Sequence, residues 1–192
     1  MESRHEIISK SKELFERFGY QKTTLTDIAK SVGKVKTAIY YYFSGKEEIF
    51  SQLVKIEAEE FYLKLKTLVL DENTPTEMLE KYVESRIKLM QKISKRYHFL
   101  KQEFFELIPL VEKNRQKYYD LEIELVEQIM KEGVKRRDFQ IDSCNFSATM
   151  LVNSLKGLEI QMFVTDKMPV DKMNLEKFIN FILYGVVQKK TK

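Results

Sequence analysis

Apolar residues recur along this chain at steps of three and four, the period of an α-helix. Ile7, Ile8, Ser11, Leu14, Phe15 and Phe18 fall on one face of a first helix, about residues 4–18. Gly19 stands where a left-handed residue ends such a helix, with Tyr20 as its apolar contact. The run Thr24-Leu25-Thr26-Asp27 has the form of a capping box and predicts a short helix over 25–32, with Ile28, Ala29 and Val32 inward. Gly33 breaks it, and a third helix follows over 36–43.

Ser44 to Glu47 reads as a second box, opening a long helix from Lys46 toward Val69 with Ile49, Phe50, Leu53 and Phe61 on one side. Thr74-Pro75-Thr76-Glu77 places a cap, a proline and a glutamate where a helix start needs them, and that helix runs to about Lys95. Shorter and longer helices are predicted over 97–107, ending before Pro109, and over 111–132, stopping at Gly133. A loop follows; Asp142 is placed to cap a helix over 143–164, and a last helix covers 172–189. The pattern predicts an all-α chain of about nine helices.

Composition agrees. Of 192 residues, 43% are hydrophobic, enough for a real core, and six Gly and three Pro leave little room for long loops. The net charge is +4, and the first 55 residues hold ten basic side chains against seven acidic ones. That is a weak pointer to a polyanionic partner. The single cysteine, Cys144, makes no internal disulfide, and no Cys/His spacing suggests a metal. The start, MESRHE, lacks the apolar core of a signal peptide, and no apolar run reaches membrane-spanning length, so a soluble, cytoplasmic protein is expected. His5, in the charged first helix, and His98, beside Phe99, have no catalytic partner in view. No phosphate loop, nucleophile elbow or metal pair appears, so no enzyme and no cofactor is expected.

The sharpest chemistry lies in the third helix. With Lys36 at zero and about 100° per residue, Tyr40, Thr37 and Tyr41 fall at about 40°, 100° and 140°. Val35, Ala38, Ile39, Tyr42 and Phe43 fall on the opposite arc. One face is thus apolar, and the other shows a lysine, a threonine and two tyrosine hydroxyls. Two short helices around a glycine turn, the second with such a face, form a helix-turn-helix that fits the DNA major groove. Lys36 and Thr37 sit where base edges are reached; Tyr40, Tyr41 and Lys46 are placed for phosphate.

The stretch TTLTDIAKSVGKVKTAIYYYFSGKEEIF, residues 23–50, resembles the N-terminal signature of the TetR family of bacterial transcriptional repressors. The shared elements are a Thr-capped helix, an IA..G turn, a YYYF-like recognition helix and a KEE(I/L)F helix start, in register. Two positions depart: Val35 stands where the family commonly has serine, and Gly45-Lys46 where it often has Ser-Lys. The resemblance implies an N-terminal helix-turn-helix domain, residues 1–46, and a helical effector-binding and dimerisation domain, residues 47–192. It implies a homodimer on a palindromic double-stranded operator, acting as a repressor and released by a small, hydrophobic effector. By position, Thr24, Thr26, Lys36, Thr37, Tyr40, Tyr41 and Lys46 match family positions that contact DNA. The competing reading is a helix-turn-helix dimer that binds DNA constitutively, with no effector.

The remaining two-thirds are rich in Phe, Tyr and Met. Tyr82, Met90, Phe99, Phe104, Tyr118, Met150 and Phe163 are the candidates for an apolar pocket, since adaptable side chains suit apolar ligands. The last two helices are apolar around much of their circumference. They are expected to form a four-helix dimer interface through Leu151, Leu155, Leu158, Met162, Phe178, Ile182 and Val186.

Overall fold

The computed structural model describes residues 2–164 and 174–184. Among them are eight α-helices and one 3-10 segment, with no strand. The helices are α1 (Glu2–Phe18), α2 (Leu25–Ser31), α3 (Lys36–Tyr40), α4 (Lys46–Leu70), α5 (Pro75–Arg96), α6 (Phe104–Arg136), α7 (Cys144–Val164) and α8 (Leu175–Tyr184); the 3-10 segment, His98–Glu103, leads into α6.

The helix boundaries follow local chemistry. Thr24 and Thr74 each accept the backbone N–H three residues on, while Asp27 and Glu77 reach back to the cap N–H, so both capping boxes form. Gly19 and Gly33 take positive φ, 84° and 64°, as helix ends of this kind require. The box expected at Ser44 shifts by one residue: Gly45 is the N-cap without a side-chain bond, and Glu48 accepts from both the backbone N–H and the hydroxyl of Ser44. At the start of α7, Ser143 rather than Asp142 accepts the Phe146 N–H.

Two expected breaks are absent. Pro109 lies inside α6, where it removes one bond near the helix start and does not end the helix. Gly133 also lies inside α6; the left-handed terminal residue is Arg137, at φ 68°. Gly133 is required instead by packing, because a Cβ there would run into the Phe139 ring. The third helix, in turn, ends at Tyr40 rather than Phe43.

Burial divides into two clusters. The first joins Ile7, Phe15, Ile28, Ile39, Phe43, Ile49, Phe50 and Leu53 with Tyr97 and Leu107. The second joins Tyr62, Leu65 and Val69 of α4 with Leu79, Tyr82, Val83, Ile87, Val126, Ile129, Ala148, Val152 and Leu155. Each fully buried side chain of this size contributes about 1.5–3 kcal/mol. Helix α4 therefore serves both clusters, and Ile93 and Phe163 pack against both. Two residues placed inward by periodicity are exposed, Phe18 and Val35, the latter at 69%. Helix α1 ends at Phe18 without a helix over that side; Arg17 covers the ring instead. Val35 is the extended residue before α3. No helix among the described residues is long and apolar enough to cross a membrane.

Candidate functional site

Helix α3 is short and is held from beneath. Ile39 and Phe43 are buried in the first cluster with side chains of α1, α2 and α4, and the Arg4 guanidinium lies 4.5 Å from the Phe43 ring centre while donating to the Tyr42 carbonyl. That leaves Lys36, Thr37, Tyr40 and Tyr41 exposed together, with Tyr41 at 85%. The Lys36 ammonium lies 6.0 Å from the Tyr40 ring centre. Thr24 and Thr26 are exposed at the start of α2, where the Asp27 carboxylate is held below its usual pKa by the hydrogen bonds from Thr24.

Lys46 is the exception among the seven. Its ammonium turns away from that face and donates to the carbonyls of Tyr20 at 2.7 Å and Thr23 at 2.9 Å, over the Tyr20 ring. Burial lowers its pKa, and Glu103 opposes the shift. The ammonium is thus a tie within the subunit, at the position where the sequence led us to expect a phosphate contact. Arg4, which braces the underside of α3, was not apparent from periodicity.

A second feature lies between the two clusters, a cavity of about 500 Å³. Met90, Phe104, Tyr118 and Phe163 of the expected pocket line it, with Phe50, Leu53, Val54, Phe61, Tyr62, Ile93 and Val111. Three expected members do not. Tyr82 is fully buried behind the wall, and Phe99 and Met150 point into solvent. Phe104 and Phe163 stack at 5.3 Å between ring centres.

The far end of the cavity is polar, from Glu112, Arg115, Glu122, Asn153, Lys156 and Glu159. Behind it, Arg86 donates to Glu122 at 2.5 Å and to Glu159 at 2.7 Å, and Tyr82 donates to Glu122 at 2.6 Å. Arg115 holds both oxygens of Glu159, and Lys156 pairs with Glu112. Burial alone would raise the Glu159 carboxyl; Arg115 and Arg86 outweigh it and hold it below the ordinary range. Sequence reasoning missed this network. Its signal was a charge lying on an apolar stripe: Arg86 with Leu79, Val83 and Met90, Glu122 with Leu125, Val126 and Ile129, Glu159 with Leu151, Leu155 and Met162.

The expected dimer contacts are largely spent within the subunit. Leu151, Leu155 and Met162 are buried in the second cluster, and Leu158, Phe178 and Ile182 pack partly against it. Val186 lies outside the described residues. The exposed apolar side chains of α7 and α8 are Phe146, Met150, Ile160, Phe181 and Tyr184. Among the described residues no group of His, Cys, Asp or Glu is arranged for a metal ion.

Residues 7–53 match the family described as bacterial regulatory proteins, tetR family. The chain is 22% identical over 191 residues to an uncharacterized HTH-type transcriptional regulator, YfiR, of Bacillus subtilis, covering 97% of this chain and 93% of the relative. Over 49 residues, 26% of each chain, it is 49% identical to IcaR of Staphylococcus aureus, a negative transcriptional regulator of the icaADBC biofilm operon. Its fold is similar to that of the regulator FadR from Bacillus subtilis, solved in complex with stearoyl-CoA. The TM-score there is 0.70 at 19% identity, over 95% of this chain and 99% of that one.

Proposed function

We propose that this chain, whose residues 7–53 match the tetR family of bacterial regulatory proteins, is a regulator of that family: a cytoplasmic repressor, a homodimer on a palindromic operator that a small effector releases. The observation that carries the reading is the face of α3. Lys36, Thr37, Tyr40 and Tyr41 stand exposed side by side on a helix whose other side is buried. In this reading residues 1–46 form the DNA-binding domain and residues 47–192 the effector and dimerisation domain. Lys36 and Thr37 read base edges, and Tyr40, Tyr41, Thr24 and Thr26 hold the backbone.

The effector enters the cavity between the clusters. Its body meets Phe50, Phe61, Phe104 and Phe163, and its polar part meets Arg115, Lys156 and Asn153. The fold shared with FadR, whose structure contains stearoyl-CoA, supports a cavity of this kind as a ligand site. A ligand that fits one arrangement of the helices better than the other shifts the population away from DNA. The pairing of Arg115 and Arg86 with acids inside the protein favours the second reading, a constitutive binder whose polar wall needs no ligand.

Selection of bound duplexes from a random pool tests the proposal. A palindrome with half-sites about 10–10.5 base pairs apart is expected. Lys36→Ala or Thr37→Ala then weakens binding by about 1–3 kcal/mol at one matching base, while Tyr40→Phe weakens all sequences alike. A Tyr40→Phe variant with altered sequence preference overturns the division of roles; selection without symmetry overturns the dimer.

A further inference from the structure

A carboxylate beside the cavity wall holds the turn between α1 and α2. Glu103 closes the 3-10 segment just before α6 and is 8% exposed. Its oxygens accept the backbone N–H of Tyr20 at 2.9 Å and that of Gln21 at 3.0 and 3.1 Å. Those amides follow α1 and lie in the turn that leads to α2, more than 80 residues away in sequence. From the other side the Lys46 ammonium takes the carbonyls of Tyr20 and Thr23 in the same turn. A carboxylate from the start of α6 and an ammonium from the start of α4 thus hold one turn by its N–H and C=O groups together. Gly19 passes so close that an added Cβ would lie 3.2 Å from a Glu103 oxygen. The next turn of α6 adds Glu106, which accepts from the Gln21 amide side chain at 2.6 Å.

Glu103 itself does not line the cavity, but its neighbour Phe104 does, stacked on Phe163. A group larger than the open space between those rings and the α4 side chains presses on Phe104, whose backbone is continuous with that of Glu103. Charged hydrogen bonds of this kind depend steeply on geometry, so a small shift suffices to break them. We propose that Glu103 is the positioning residue that ties the helix-turn-helix to the state of the cavity. Its grip on the Tyr20 and Gln21 amides keeps α2 and α3 in the arrangement that binds DNA, and displacement of Phe104 withdraws it. The inference rests on the reading of the chain as a DNA-binding regulator.

The test compares the full-length wild type with Glu103→Ala and Glu103→Gln. It reads amide hydrogen exchange at Tyr20 and Gln21 and affinity for a duplex that the wild type selects from a random pool. In Glu103→Ala the two amides are expected to exchange about tenfold faster, while those of Ile28 and Ile39 keep their protection. Affinity for the duplex falls about tenfold. Glu103→Gln, which keeps an acceptor oxygen, recovers most of both. The dye 1-anilinonaphthalene-8-sulfonate serves as a cavity probe: it speeds the same amides and weakens DNA binding in the wild type, with no further change in Glu103→Ala. Unchanged exchange in Glu103→Ala, or equal sensitivity of both proteins to the dye, overturns the proposal, as does a dye that leaves the wild type unaffected. Fast exchange in the variant together with a wild type that selects no duplex overturns the regulator reading itself.

Discussion

Arg86 is the bulkiest of the fully buried side chains, yet it carries a charge. Burial opposes that charge, and Glu122 and Glu159 outweigh the burial, so its pKa stays above the ordinary arginine value. Removing one partner of such a set costs about 3–5 kcal/mol, because the others are left buried and unpaired. Glu159→Gln should lose that much stability at neutral pH in denaturant unfolding. The sign with pH follows from the depressed carboxyl of Glu159. Its contribution is fully present above the unfolded value of about 4.3 and is lost as pH falls through the lower, folded value. The gap between wild type and variant should therefore close only on acidification below about pH 4. A gap that stays constant across that range would show that the carboxylate charge is not what stabilises. Sequence reasoning missed the network because each charge was only an isolated exception on its own apolar stripe, and the fold alone brings the three stripes of α5, α6 and α7 together.

At the scale of elements, the two complete capping boxes were easy to read and the breakers were not. Thr24 with Asp27 and Thr74 with Glu77 act within four residues, so their chemistry needs no tertiary partner. Pro109 and Gly133 look like ends by the same local logic, but α6 packs along its whole length on α4, α5 and α7 and continues through both. The two helical glycines Gly133 and Gly157 give opposite expectations for one substitution. Nothing stands within 4 Å of a Cβ at Gly157, and Gly157→Ala should raise stability by about 0.5–1 kcal/mol. At Gly133 the same change drives a Cβ into the Phe139 ring and should lower the melting temperature. Thermal unfolding of the two variants checks both signs; a stabilised Gly133→Ala would mean the ring yields freely.

For the whole molecule, the outer faces of α7 and α8 leave apolar surface uncovered in the single chain. Phe146, Met150, Phe181 and Tyr184 are exposed there, and Phe181 is 55% accessible in the single chain. If the dimer forms through these faces, Phe181→Asp should sediment as a monomer. It should also bind a palindromic duplex no better than an isolated half-site, since the two recognition helices are no longer held about 34–36 Å apart. A dimeric Phe181→Asp would place the interface elsewhere.

Sequence alone determined the all-helical class, the capping boxes at Thr24 and Thr74 and the two-faced character of α3, because these depend on periodicity and on bonds between near neighbours. It also carried the family signature, whose elements lie within 28 residues. Tertiary packing decided the rest. It turned the Lys46 ammonium inward, spent Leu151, Leu155 and Met162 on the subunit's own core, and exposed Phe99 and Met150. The reason is physical: an apolar stripe or a lysine specifies that it needs a partner, and only the arrangement of distant helices specifies which one.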